Sequence, residues 1–88
     1  MAIGSAGFTP SIIEDNIYDL INQEKYLVSS SEYTEECIRA VESYLTREGI
    51  KWNAIWGPYY DMSGYSVSIA WIEDGELHHI VLNCRKEN

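Results

Sequence analysis

The dipeptide Asp74-Gly75 sits between two runs in which apolar and polar residues alternate, and it constrains this chain more than any other feature. A two-residue hairpin turn of the type that matches strand twist needs positive φ at both central positions, which Asp-Gly tolerates well. With residues 74 and 75 as the turn, the register follows by counting. Ile72 faces Leu77, Trp71 faces His78, Ala70 faces His79 and Ile69 faces Ile80. Ser68, Val67, Ser66 and Tyr65 then face Val81, Leu82, Asn83 and Cys84. Sorted by side, Tyr65, Val67, Ile69, Trp71, His78, Ile80, Leu82 and Cys84 form a core face. Ser66, Ser68, Ala70, Ile72, Leu77, His79, Val81 and Asn83 form the other face. A slip of one residue would scramble this sorting, so the register is strongly specified.

A period of two also governs residues 50–56. Ile50, Trp52, Ala54 and Trp56 alternate with Lys51, Asn53 and Ile55, which predicts a strand with one buried face. Gly57-Pro58 ends it, and residues 59–64 read as a loop.

Before residue 50 the period is helical. Ile13, Ile17, Leu20 and Ile21 fall on one face of a first helix, with Thr9 as N-cap, Pro10 at the first helical position and a fade near Glu24–Tyr26. After the step Leu27-Val28, a serine cluster offers two N-caps for a second helix. Ser29 has capping-box spacing to Glu32, and Ser31 is an equal alternative. The second helix presents Cys37, Ile38, Val41, Tyr44 and Leu45, pairs Glu35 with Arg39 one turn apart, and runs to about Glu48. Gly49 followed by Ile50 reads as a Schellman stop.

The element order is α-α-β-β-β. The expected fold is α+β, a two-helix hairpin packed on one face of a three-stranded antiparallel β-meander, with the opposite face at least partly open. Residues 1–8, small and Gly-rich with Phe8 as an anchor, read as a flexible N-terminal arm, and residues 9–88 as a single domain.

Catalytic signals are weak. His78 and His79 are adjacent on a strand and point to opposite sides, so they cannot share one metal ion. Cys84 lies on the His78 side but about 20 Å away along the strand. His78 is expected to cap the core edge against Trp71, and His79 to be exposed beside Ala70. The acidic pairs Glu14-Asp15, Glu35-Glu36 and Glu73-Asp74 fall on helix surfaces and a hairpin tip, where solvation explains them. No Gly-x-Ser-x-Gly, phosphate-loop or dinucleotide pattern occurs. No catalytic, cofactor or metal site is therefore expected, and the chain is expected not to be an enzyme. Cys37 and Cys84 do not make a disulfide framework; both are expected as reduced thiols that meet in the core. The N-terminal stretch lacks the basic and apolar regions of a secretory signal, and no apolar run is long enough for a bilayer span, so a cytoplasmic location is expected.

Charge carries the strongest functional signal. Fourteen acids against six bases give a net charge of −8, which disfavours direct contact with nucleic acid or an anionic membrane. Nine of the acids lie between Glu14 and Glu48, where only Lys25, Arg39 and Arg47 oppose them. On the helical period Glu14, Asp15 and Asp19 face away from Ile13 and Ile17. Glu35, Glu36 and Glu42 avoid Ile38 and Val41. An acidic outer layer of this kind can engage a basic groove on a partner protein, such as a nuclease or a nucleic-acid-binding complex. The run Trp56-Gly57-Pro58-Tyr59-Tyr60-Asp61-Met62 adds aromatics and a Met in a loop, either to plug the open end of the core or to anchor an interface. The candidate partner-binding set is thus Glu14, Asp15, Asp19, Glu35, Glu36, Glu42, Trp56, Tyr59, Tyr60, Asp61 and Met62. In size, charge and absence of catalytic motifs the chain resembles immunity proteins that cap nuclease toxins and phage proteins that block host defence complexes. That resemblance implies a stoichiometric inhibitor and assigns no residue a role. The alternative reading is a small regulatory or assembly subunit that homodimerises through its open sheet face or an edge strand.

Overall fold

The computed structural model describes residues 11–29, 31–58 and 64–85. The elements follow in the order α1 (Ile12–Ile21), a 3₁₀ turn (Glu24–Tyr26), β1 (Leu27–Ser29), β2 (Glu32–Tyr33), α2 (Glu35–Arg47), β3 (Trp52–Pro58), β4 (Gly64–Glu73) and β5 (Glu76–Arg85). The arm 1–8 and the pair Thr9-Pro10 lie outside the described residues.

The hairpin forms as counted. Asp74 and Gly75 have φ of 53° and 80°, the two positive values a type I′ turn requires. Every pair from Ile72↔Leu77 to Tyr65↔Cys84 is in the expected register. β3 joins β4 antiparallel, with Trp52, Ala54 and Trp56 opposite Trp71, Ile69 and Val67, so the apolar side of all three strands is continuous. Gly57 and Pro58 still pair with Ser66 and Tyr65, so the strand runs through them.

The three-stranded meander is only part of the sheet. There are five strands in the order β1-β2-β5-β4-β3, and β2 runs parallel to β5 through Tyr33↔Cys84. The segment before α2 thus supplies two extra strands where a serine cap was expected. Strands of three and two residues are too short to show a period of two, and a parallel pairing with β5 is not encoded locally. Arg85 fastens this edge by an ion pair to Glu32 at 2.9 Å.

The helix starts are also displaced. α1 is capped by Ser11, whose Oγ accepts from the Glu14 N–H at 2.9 Å, two residues after the expected Thr9 cap. α2 is capped by Thr34, whose Oγ1 accepts from the Cys37 N–H at 3.1 Å. Ser29 instead donates to the Glu32 carboxylate at 3.2 Å across the β1–β2 pair. α1 ends at Ile21 rather than fading into Glu24–Tyr26, which forms a separate turn that buries Tyr26. The end of α2 is the Schellman motif that Gly49-Ile50 implies. The Ile50 N–H donates to the Leu45 carbonyl and the Gly49 N–H to that of Thr46, with Gly49 at φ 73°.

Both helices cover the same side of the sheet. Ile13, Ile17 and Ile21 of α1 and Cys37, Ile38, Val41 and Leu45 of α2 pack on Val67, Ile69, Trp71, Ile80, Leu82 and Cys84. Each fully buried aliphatic side chain of this kind is worth about 1.5–3 kcal/mol. The start of α1 is tied to the hairpin by Glu73. Its Oε1 accepts from the Ser11 hydroxyl at 2.6 Å and from the Trp71 indole N–H at 3.1 Å.

Candidate partner-binding surface

The helices lie antiparallel: Ile12 and Ile13 at the start of α1 line one cavity with Glu48 and Gly49 behind the end of α2, and Asn16 donates to the Tyr44 hydroxyl in the last turn of α2 at 2.8 Å. Acids in a first helical turn are favoured by the helix dipole. Both helices use this, α1 through Glu14 and Asp15 and α2 through Glu35 and Glu36. An antiparallel arrangement sends these two acidic turns to opposite ends of the layer. With about 1.5 Å of rise per residue, they stand roughly 15–20 Å apart. The expected acidic layer therefore resolves into two acidic ends, with Asp19 exposed between them.

The α2 end is the more elaborate. Arg39 holds Glu42 at 3.1 Å and Glu35 at 3.4 Å, while its guanidinium lies 4.7 Å over the ring of Trp56 on β3. Trp56 in turn meets Tyr65 edge to face at 5.9 Å. One basic side chain thus joins two acids of the helix to the aromatic pair at the mouth of the 59–63 connection. Glu42 and Trp56 are half-buried here, whereas Glu35 and Glu36 are exposed. Glu36 makes no ion pair among the described residues, so its charge faces solvent uncompensated. The two glutamates push the Arg39 pKa up, the hydrogen bond that Arg39 donates to Glu42 most of all.

Of the eleven expected contact residues, this cluster brings together Glu35, Glu42 and Trp56, with Glu36 exposed next to Glu35 in the first turn of α2. Glu14, Asp15 and Asp19 stand on α1, and Tyr59, Tyr60, Asp61 and Met62 lie outside the described residues. Trp56 acts first as a cover for the core, against which it packs. Sequence reasoning missed Arg39 as the bridge to Trp56. The i,i+4 spacing reveals its link to Glu35, but nothing in the spacing of residues 39 and 56 reveals the stacking.

Several polar groups outside this cluster have structural roles. His78 stacks on Trp71 with ring centroids 5.7 Å apart and planes within 13°, as expected of a core-edge cover. His79 is exposed opposite Ala70. Burial and the neighbouring Cys84 push the Cys37 thiol up to about 12, and the Cys84 thiol donates to the Arg85 carbonyl. Burial raises the Glu73 carboxyl, but the hydrogen bonds from Ser11, Trp71 and the Ile13 N–H, helped by His78, outweigh it and leave its pKa lowered. Ser11, Glu73 and His78 do not form a nucleophile–base relay. The serine hydroxyl bonds the carboxylate directly and no imidazole stands between them. Among the described residues no group of three or more His, Cys, Asp or Glu side chains could hold a metal ion, and no helix is long and apolar enough to cross a membrane.

No protein-family model, curated protein or solved structure matches the chain.

Proposed function

We propose that this chain is a non-enzymatic, stoichiometric inhibitor that occludes a basic site on a partner protein, in the manner of toxin-immunity or phage anti-defence proteins. The observation that supports the reading is the Arg39-centred cluster. It sets exposed carboxylates of α2 beside a Trp/Tyr pair, at the start of a connection that carries Tyr59, Tyr60, Asp61 and Met62. Carboxylates steer a basic partner and fix its orientation, while aromatics buried at the centre of a contact supply most of the affinity. The α2 end offers both within one surface, whereas at the α1 end Glu14 and Asp15 stand beside the exposed Ile12.

The test is affinity capture from the native host at low and at high salt, followed by kinetics with the partner identified by mass spectrometry. The expected partner is basic, is held at low salt and is released at high salt. It is lost when Glu35 and Glu36 are both changed to Gln. Capture that resists salt and survives this double substitution overturns the reading.

A further inference from the structure

The sheet ends in two outer strands, β1 and β3. β1 spans three residues, and its pairing with β2 is irregular. β3 spans seven, Trp52–Pro58, and pairs with β4 in unbroken register. Among the described residues no strand lies on the outer side of β3. The direction of its backbone groups follows from the ladder. The Ile72 N–H donates to the Lys51 carbonyl at 3.1 Å, so Lys51 and Ile72 are a hydrogen-bonded pair. In an antiparallel ladder such pairs recur at every second residue. Asn53, Ile55 and Gly57 therefore turn their backbone groups to β4, and Trp52, Ala54 and Trp56 turn theirs outward. Exposed edges are commonly guarded by charged side chains or bulges. The run from Trp52 to Pro58 has no charge and no shift of register. Only its ends are guarded, by Lys51 and by Pro58, which has no N–H to offer.

Helix α2 lies along this edge. The Trp52 indole N–H donates to Thr46 at 2.9 Å, and the Arg39 guanidinium lies over Trp56. Glu35, Arg39, Glu42 and Thr46 follow at i, i+4, i+7 and i+11, one row of the helix. The stretch from Arg39 to Thr46 rises about 10 Å, close to the roughly 13 Å from Trp56 to Trp52, so Glu42 comes to the level of Ala54. The small Ala54 leaves a gap between the two indoles on the helix-covered side. The row sets two carboxylates against the single guanidinium of Arg39. Lys51 stands on the other side of the strand, with Asn53 and Ile55.

We infer that the outer edge of β3 takes an extended segment of the basic partner as an added antiparallel strand, with a Lys or Arg opposite Ala54 and an apolar residue beside Ile55. The inference rests on the proposed function for the basic character of the partner, and it names the contact. Trp52, Ala54 and Trp56 each offer a donor and an acceptor, and main-chain bonds of this kind supply affinity in strand addition. The side chain opposite Ala54 enters the gap between the indoles, where a cation meets their faces and the Glu42 carboxylate. Its neighbours in the segment point to the other side, where Ile55 is 64% exposed. A second copy of β3 on the same edge would set the carboxylates of two α2 rows against each other, so charge disfavours it.

The experiment uses the full chain and capped peptides of about seven residues, the length of β3, titrated to about 2 mM at about 20 mM and about 500 mM salt. A peptide in which Val and Lys alternate should bind, and should slow hydrogen exchange at the amides of Trp52, Ala54 and Trp56. The same residues with the alternation broken, or Val alternating with Glu, should bind at least 10-fold more weakly at low salt. N-methylation of the peptide at the positions that face the edge should abolish binding. Ala54→Pro removes an outward N–H and leaves the β4 ladder intact, and should raise the dissociation constant about 10-fold. The N-methylated peptide makes the same test on the unaltered chain if that variant fails to fold. Glu42→Gln should raise the dissociation constant about 10-fold at low salt and little at high salt. Equal binding of the alternating and broken Val/Lys peptides would mean that charge alone holds them. Protection at Leu27–Ser29 in place of β3 would put the strand on the other edge. Protection of β3 that rises with protein concentration in the absence of peptide would give the edge to a second copy. No binding of any peptide would leave the edge without this occupant. Each of these four results overturns the inference and leaves the proposed function to stand or fall on salt-sensitive capture. A captured partner that resists salt overturns the proposed function, whatever the peptides do.

Discussion

Glu73 does more than one residue's share of the work, because a single carboxylate takes hydrogen bonds from Ser11 at the start of α1 and from the indole of Trp71 in the core. Its pKa is lowered, so its contribution is present above the ordinary value of 4.5 and lost as pH falls through the lower folded value. Stability should accordingly drop on acidification from about pH 6 to about pH 3, and Glu73→Gln should flatten that part of the profile while costing about 1–2 kcal/mol near neutrality. Urea melts of both proteins across that window check this, and identical slopes would exclude Glu73 as the source. Gly75 shows the other kind of dependence. A Cβ there would meet nothing within 4 Å, so any cost of a side chain comes from the backbone at φ 80°. Gly75→Val should destabilise by about 1–3 kcal/mol, read as a lower thermal midpoint. An unchanged midpoint would refute the strain argument. Cys37 and Cys84 are buried, and the Cys37 thiol is held up to about 12, so the native chain should resist alkylation at mildly basic pH. The unfolded, non-reduced chain should titrate two thiols, and finding none would contradict the hydrogen-bonding Cys84 thiol seen here.

The elements divide by how locally they are encoded. The hairpin, its full register and the stop of α2 were legible, because each depends on residues within a few positions of one another: Asp74-Gly75 with its flanking alternation, and Gly49-Ile50 behind an apolar helical face. The starts of both helices were not. Thr9, Ser11, Ser29, Ser31 and Thr34 are all acceptable N-caps, and the choice among them is made by distant partners. Ser11 is selected by Glu73, and Thr34 by β2 lying parallel to β5 and by the Tyr26 carbonyl, which accepts from the Thr34 N–H at 2.9 Å. The same competition gives a test. Thr34→Ala should cost about 1 kcal/mol, since it removes the acceptor for the Cys37 N–H, whereas Ser31→Ala should stay within about 0.5 kcal/mol. Equal costs would indicate that the serine cluster caps α2 in solution.

At the scale of the whole molecule, the residues of the candidate site were legible in composition, and their placement was not. The sequence identifies nine acids in the helical half and an aromatic run after residue 56. The antiparallel packing of α1 on α2 then separates Glu14 and Asp15 from Glu35 and Glu36, and Arg39 over Trp56 joins only the α2 end, through Glu35 and Glu42, to the aromatics. Net charge acts at long range and is shared by both ends, while contact chemistry is local, so the two ends should behave differently against one partner. Changing Glu35 and Glu36 to Gln should lower the association rate about 10-fold at low salt and flatten its salt dependence. Changing Glu14 to Gln and Asp15 to Asn removes the same formal charge from the far end, and at about 0.15 M salt, where the screening length is about 8 Å, it should lower the rate only about 2-fold across the roughly 15–20 Å to the docking end. Tyr60→Ala should act on the dissociation rate and cost about 1–3 kcal/mol in binding with little change in association. One kinetic titration of the three variants against the captured partner separates these effects. Equal losses from the two acidic ends would mean that the partner spans the whole helical layer. A loss confined to the α1 variant would move the docking site to Glu14 and Asp15, and leave the Arg39–Trp56 stack as a cover for the core.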